Sequence, residues 1–518
     1  MRRLVFLLIP LALSVTVMAQ NRPADSRQRE LESMYQQYDN TQNAAGMGLA
    51  QPSTGSVTAV DAGFQKGDYH RAQEGDAMNS FRFSTERYDR FTDKFFMKGS
   101  FSYNFDREKN RKWSDVTDPY TSIPFIYGSS VAKDYDAHNC TLTFDLYTAP
   151  LSDRFSVGLR SRYEVADISG NRDPRPRTGC LRYNLTPSFL YTVGNFHIGL
   201  DGGFLFDKEK LVGLTTIQSY PNLYYYKMSG LDRIDGAISA YSGFKRQFIA
   251  RGFLGEISFG YTSSKVSFLL SGGLDGMWQT AYGDKKQIPG TYDSFKYNFL
   301  ADLVVKEESL RIHARMDGRY ADSGADEYLQ ELNSSKDPET GATTETWETL
   351  YIYENRYMLK SAELGASFDI YGGCTETGYK WSAGARASYS GFKKDCYLPH
   401  SSFLNSGLDT GLYGFLRVFE RANHNLDIKV DLSAFLPTKV SVDLRNDNIY
   451  TQEVLLPDYE FYLKKNIVAG AELTYSFPLN LGKAGLACGY VKLSYHQLKA
   501  WPASGRREAA LSFGLFTF

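Results

Sequence analysis

The chain is 518 residues long, carries a formal net charge of −1 at pH 7 and has five cysteines. A balanced charge gives no basic surface to release counterions, which excludes nucleic acid as a partner, and cysteines so few and scattered exclude a disulfide framework. Its 37 Tyr, 34 Phe and 45 Gly against 10 Met favour strands and tight curvature over helices.

Residues 1–19 pair Arg2 and Arg3 with an apolar run and end on the small Ala19 before Gln20. This is the layout of a cleavable signal peptide, with a run shorter than the roughly 20 residues of a spanning helix. No cysteine lies near the cleavage position to take a lipid anchor. Residues 20–94 follow as a lead without a clear strand. Within it, QRELESMYQQYDNTQNAAGMGL suits a short helix that either plugs a lumen or lies in the periplasm.

From Phe95 onward side chains alternate with period two, which sets every second residue on one face of a strand. Phe95, Met97, Gly99, Phe101, Tyr103 and Phe105 form an apolar row opposite Lys98, Ser100, Ser102 and Asn104. Phe155, Val157, Leu159, Tyr163 and Val165 stand likewise against Ser156, Arg160, Arg162 and Glu164. Leu185 to Val193 and Phe196 to Phe206 make a hairpin about Gly194 and Asn195. The pattern continues through Trp381 to Tyr389, Leu426 to Leu432, Ile467 to Tyr475 and the closing REAALSFGLFTF.

Such segments number about sixteen, within roughly 14–18, each about 9–12 residues long, enough for a tilted strand to cross a hydrocarbon layer. Short connections such as 148–154, 262–265 and 420–425 alternate with long ones such as 106–139, 166–184, 207–251, 321–356 and 437–465. That alternation marks an all-β transmembrane antiparallel barrel of a Gram-negative outer membrane, here spanning 95–518 with both ends in the periplasm. A mean hydropathy of −0.38 fits a polar lumen and polar loops. A soluble sandwich also alternates, but has no need of Tyr261, Trp278, Tyr320, Trp381, Tyr389 and Tyr495 near strand ends, where aromatic girdles sit. The lead is too short and the barrel too small for a plugged receptor of roughly 22 strands, so any transport is expected to be diffusive or driven by a partner.

Phe518 closes the chain with Phe516 two residues before it, which resembles the C-terminal signal read by barrel-assembly machinery, with the usual glycine displaced to Gly514. Together with the VMAQ cleavage region, Asn43 to Gly46 and the FFMKGSFSYNF strand, this ending makes the mature chain resemble an uncharacterised family of outer-membrane barrels from Bacteroidales, a domain of unknown function. The resemblance implies a fold and a location; it carries no activity and no functional residues.

Inward-facing charge is the first candidate site. Arg160, Arg162, Arg311, Arg315, Arg319 and Arg386 oppose Glu164, Asp275, Asp302, Asp317, Glu363 and Asp369. Separated rows of opposite sign across a wet lumen favour polar or anionic solutes; the other arrangement is an internal salt-bridge network in a closed barrel. Tyr220, Tyr224, Tyr225 and Tyr226 in loop 207–251 either stack on sugars or a partner, or fold into the barrel mouth as a constriction. Loop 321–356 is acidic and reads as solvated surface. Cys140 and Cys180, near adjacent loops, are a candidate pair. His313 stands between Arg311 and Arg315 without a fixed Ser or acid beside it, and no GxSxG, HExxH or metal-ligand spacing occurs, so no catalytic site, metal or cofactor is expected. The expectation is a channel or transporter for small polar solutes, set in outer-membrane lipid. The other reading is a scaffold with a closed lumen that docks a surface lipoprotein or glycan through its long loops.

Overall fold

The computed structural model describes residues 26–50, 54–120, 123–152, 154–216, 224–238, 244–336, 339, 343–375, 378–481 and 486–517. Its strands are β1 (Gly55–Gly67), β2 (Ala77–Arg90), β3 (Phe95–Arg111), β4 (Phe125–Gly128), β5 (Lys133–Thr148), β6 (Phe155–Gly170), β7 (Arg175–Val193), β8 (Phe196–Thr215), β9 (Tyr225–Ser229), β10 (Arg233–Ile238), β11 (Arg246–Thr262), β12 (Val266–Tyr282), β13 (Gly290–Lys306), β14 (Leu310–Lys336), β15 (Thr343–Gly372), β16 (Trp381–Cys396), β17 (Ser401–Arg421), β18 (His424–Asp443), β19 (Asn466–Asn480), β20 (Leu486–Ala500) and β21 (Ser504–Thr517). Two helices join them, α1 (Ser26–Tyr35) and α2 (Leu456–Leu463). Among the described residues eighteen strands form one antiparallel sheet in chain order, and β4, β9 and β10 form a separate three-stranded sheet. The large sheet closes where β1 pairs with both β2 and β21, Ser56 opposite Thr517 and Gly67 opposite Arg506. Closure removes the free edges that would otherwise template aggregation.

Alternation decides which face meets what. Phe95, Ile257 and Leu412 point outward and are 54%, 61% and 65% exposed, values that suit contact with hydrocarbon. Their sequence neighbours Phe96, Glu256 and Gly411 point into the lumen. Trp381 and Tyr389 bracket this outer band on β16, with Ala383, Ala385 and Ala387 between them. Eight residues at about 3.3 Å each, tilted about 40°, make the band roughly 20 Å tall, close to the apolar height of such barrels. Val193 pairs with Phe196 across Gly194 and Asn195, and Gly194 adopts φ +59°, the left-handed conformation this two-residue turn demands.

Eighteen strands stand at the top of the expected range. The barrel begins at Gly55 rather than Phe95, so β1 and β2 lie inside the stretch read as lead. The periodicity of β1 is weak because its outward residues are Ser56, Thr58, Val60 and Ala62, with Phe64 the single large side chain, and ladder bonds to β21 compensate; on β2 only Phe81 and Phe83 mark the outer face, between Asn79 and Thr85. Segment 166–184 is not a long loop, since β6 and β7 extend as paired strands and leave only 171–174 between them. Residues 328–336 and 343–352 pair only with each other, beyond the last partners of β14 and β15 on β13 and β16, and form a projecting hairpin. The segment 1–19 read as a signal peptide lies outside the described residues.

Candidate functional site

Both ends of the lumen are filled, by different means. At the end carrying Gly55 and Thr517, residues 26–49 cross inside the barrel as a plug. The α1 helix buries Arg27, Leu31 and Met34; Arg27 donates to the Tyr379 carbonyl, and Glu30 accepts the Tyr379 hydroxyl at 2.5 Å. Gln37 donates to Asp302 Oδ1 at 2.5 Å and accepts from Ser267. Asp39 pairs with Lys98 at 2.6 Å, and Arg160 donates to the Thr41 carbonyl. Asn43 then caps a 3-10 turn, Ala44–Leu49, by accepting from the Gly46 amide. Small residues there allow close approach to the wall: a Cβ on Gly48 would stand 2.2 Å from the Thr148 carbonyl oxygen.

At the opposite end three connections fold inward as a cap. The β4, β9 and β10 sheet packs with Trp113, which is fully buried between Tyr226 and Tyr450 at ring distances of 5.4 and 5.6 Å. Trp113 Nε1 donates to Glu453 at 2.8 Å, tying in the turn that leads to α2. Arg246 on β11 is buried against Glu209 at 2.8 Å and against Asp115 of the cap at 3.4 Å, and Tyr225 donates its hydroxyl to Asp115. Asp232 accepts from Ser401 Oγ and from the amides of Arg445 and Asn446, joining the third connection to the same lid.

Between plug and cap the inward side chains stay wet. The side chains of Arg162, Asp317 and Arg182 are 56%, 54% and 41% exposed although they face the lumen. Arg162 pairs with Glu164 at 3.4 Å, Arg182 with Glu164 at 3.1 Å and with Asp207 at 3.2 Å, and Arg315 with Asp317 at 3.3 Å. Arg319 donates to Asn298 at 2.9 Å. Arg386 is exposed to the same chamber and makes no ion pair among the described residues. Opposite charges therefore alternate within one wall instead of facing each other in separated rows. Glu164 lies between Arg162 and Arg182, and Asp317 between Arg315 and Arg319, so field lines close over a few ångströms. Arg160, Arg311 and Asp302 belong to the plug seat rather than to the chamber: Arg311 donates to Tyr35 Oη at 2.7 Å, and Asp302 is held by Gln37 and by His313 at 3.1 Å.

The loop tyrosines separate. Tyr220 lies outside the described residues. Tyr225 is 1% exposed and Tyr226 packs on Trp113, so both build the cap; of the three described, Tyr224 alone offers an exposed ring. Phe516 faces inward, its ring 5.3 Å from Tyr490, while Phe513 takes the outward position at 52% exposure. Phe518 lies outside the described residues. Cys140 points outward with Leu142 and Phe144 whereas Cys180 points inward beside Asp207, so the two thiols sit on opposite faces and both are free. Among the described residues no group of three or more His, Cys, Asp or Glu is arranged to hold a metal ion.

The residues that position the plug, Gln37, Asp39 and Lys98, carried no special signal in the sequence, nor did Asp115, Glu209 and Arg246 under the cap. Each is an ordinary polar residue in its local pattern; only folded connections bring it to its partner.

No curated protein matches the chain in sequence. Among solved structures it is similar to the copper transporter OprC, at 11% identity over 90% of this chain and 82% of the other, with a TM-score of 0.36. It is also similar to the ferric yersiniabactin uptake receptor FyuA from Yersinia pestis, at 8% identity over 90% and 80% of the two chains and a TM-score of 0.37. A third is the CymD monoaromatic hydrocarbon channel, at 8% identity over 92% and 91% and a TM-score of 0.31. Residues 44–517 match the profile of the family of unknown function DUF6850, and the chain belongs to that family.

Proposed function

We propose that this barrel is a gated outer-membrane channel or transporter for small polar solutes, exported by its N-terminal signal peptide and shut in the conformation described. The outer band of exposed aliphatic and aromatic residues supports insertion in a bilayer, with the plugged end periplasmic and the cap at the cell surface. In this reading the organism is a Gram-negative bacterium of Bacteroidales kind, barrel-assembly machinery inserts the protein, and the chain performs no catalysis of its own.

One observation carries the transport reading: water-exposed charged side chains line a chamber between two closures. A barrel that served only as a scaffold gains nothing from keeping Arg162, Asp317 and Arg386 wet, and solute passage does. The balanced wall favours polar or zwitterionic solutes over strong selection of one sign. Conductance in a planar bilayer tests it. The intact refolded chain is expected to be silent or rarely open, and a barrel lacking residues 26–50 to show steady steps; a folded, plug-free barrel that stays silent sinks the proposal.

The second reading, a scaffold docking a surface lipoprotein or glycan, draws on the projecting hairpin. Leu329, Leu350, Tyr351 and Ile352 there are 41–57% exposed beyond the barrel wall. Loss of partner capture on trimming this hairpin, with conductance of the plug-free barrel unchanged, would favour it.

A further inference from the structure

We propose that Asp201 and Glu256 form a site for a divalent hard cation of calcium chemistry in the lumen wall directly behind the plug. The two carboxylates stand opposite each other in the ladder between β8 and β11. Both point inward, since Leu200 and Ile257 beside them are 59% and 61% exposed on the outer face. Like charges directly opposed in a sheet are destabilising unless something neutralises them. No side chain does so: Asp201 is 6% exposed and no side-chain donor reaches either of its oxygens, which have only the Glu256 backbone beside them, and Glu256 Oε1 lacks a partner. Arg160, close by, is committed to Asp145 at 2.8 Å and to Asp39 and Thr41 of the plug.

A second observation concerns the space around this pair. Asp201 is flanked on its own face by Gly199 and Gly203, two bare positions. A Cβ on Gly203 would lie 2.5 Å from Thr186 Oγ1, and one on Gly199 would lie 2.2 Å from Ser258 Oγ. The Gly203 gap therefore lets the Thr186 hydroxyl lean over the wall beside Asp201, and the Gly199 gap does the same for Ser258 on the other side. The Thr186 hydroxyl is fully buried and has no hydrogen-bond partner. Buried polar atoms in native proteins are nearly always satisfied, by an ordered water or an ion where no protein group serves.

Chemistry selects the ion. Every donor is an oxygen, and two carboxylates balance a charge of two. Calcium accepts about 6–8 oxygens in loose geometry, including waters and neutral donors, whereas magnesium demands a near-ideal octahedron. The plug shares the site: the Gln42 amide bonds to Glu256, and Asn43 Nδ2 lies 2.6 Å from where a Gly199 Cβ would stand. A cation here would hold the plug against the wall. The inference uses the plug as the closing element and is independent of whether a solute passes.

The test uses the full refolded chain in calcium-depleted detergent and reads hydrogen exchange of amides 41–46. Millimolar calcium is expected to slow that exchange several-fold and to saturate, with sodium or magnesium at the same concentration far weaker. Asp201→Asn combined with Glu256→Gln, checked for the heat-modifiable mobility of a folded barrel, should abolish the response. Should that variant not fold, Thr186→Val is expected to move the calcium midpoint several-fold higher, and an unmoved midpoint counts against the site. Absence of any calcium response in the parent chain, its survival in the double variant, or protection that follows pH alone overturns the proposal. Calcium binding in a barrel whose plug-free form passes no ions would leave this site standing and remove the channel reading instead.

Discussion

The plug and the cap close the same lumen with a different balance of contacts. The plug sets a few apolar side chains into the wall, Leu31 and Met34 in one cluster with Val304 and Tyr379, Tyr38 and Met47 in another with Leu190 and Leu269, and is otherwise seated through polar atoms: Asp39 on Lys98, Gln37 on Asp302, Tyr35 under Arg311. Water replaces such contacts at modest cost, because a hydrogen bond is a net gain of only about 1 kcal/mol against solvent. The cap instead has a core of its own, in which Trp113, Val116, Phe125, Ile126 and Met228 join Phe248, Tyr292 and Phe403 of the wall. Apolar burial has no such substitute in water. In the channel proposed above, the plug, with the smaller apolar core, is the part expected to leave, and the cap the part expected to stay.

The largest expected effect attacks the cap. Arg246→Met leaves Asp115 and Glu209 buried without their cation, and breaking a buried ion pair from one side costs about 3–5 kcal/mol. Limited proteolysis should then cut within 112–132 and 224–238 while the barrel stays folded; an uncut cap would show that its apolar core suffices alone. A smaller effect is expected at the plug, where Lys98→Met removes a charged hydrogen bond from Asp39 at a cost of about 2 kcal/mol. Exchange of amides 36–41 should accelerate with cap amides unchanged, and equal acceleration of both regions would erase the distinction between them.

Acidity sharpens the comparison further. Asp458 in α2 accepts from the Ala72 amide at 2.7 Å and from Tyr120 Oη at 3.3 Å, with Arg71 and Lys394 nearby. Burial pushes its carboxyl from 3.8 up to about 6. A raised carboxyl favours the docked helix while protonated, so its contribution is full at low pH and is lost as pH rises from about 4 through about 6. Protection of 456–463 should therefore be greater at pH 5 than at pH 7.5, by on the order of 1 kcal/mol, and Asp458→Asn should flatten the profile. The smallest effect belongs to Tyr224→Ala, an exposed ring whose loss should alter stability by less than about 0.5 kcal/mol. Loss of glycan or partner binding in that variant would move weight to the docking scaffold.

How far the molecule was readable depended on the range of the interaction. FFMKGSFSYNF declares both faces of β3 because lipid and lumen impose opposite demands on adjacent residues. The small outward residues of β1 make no such declaration, and its place depends on meeting β21, more than four hundred residues away in sequence. Tyr225 and Tyr226 look alike in YYYKMS, yet Asp115 and Trp113 draw both into the cap. Phe516 belongs by composition to an outward terminal row, but the register with Val57 and Cys488 turns it inward.

Period-two alternation is local, and it was enough to specify a membrane barrel, the identity of its lipid-facing rows and the presence of inward charge. Whether those charges oppose or pair, whether the lead enters the lumen and whether the long connections close the mouth depend on contacts between residues distant in sequence. Such contacts exist only after the sheet has closed on itself, because closure sets the register that brings Glu164 between two arginines, Asp39 to Lys98 and Asp115 to Arg246.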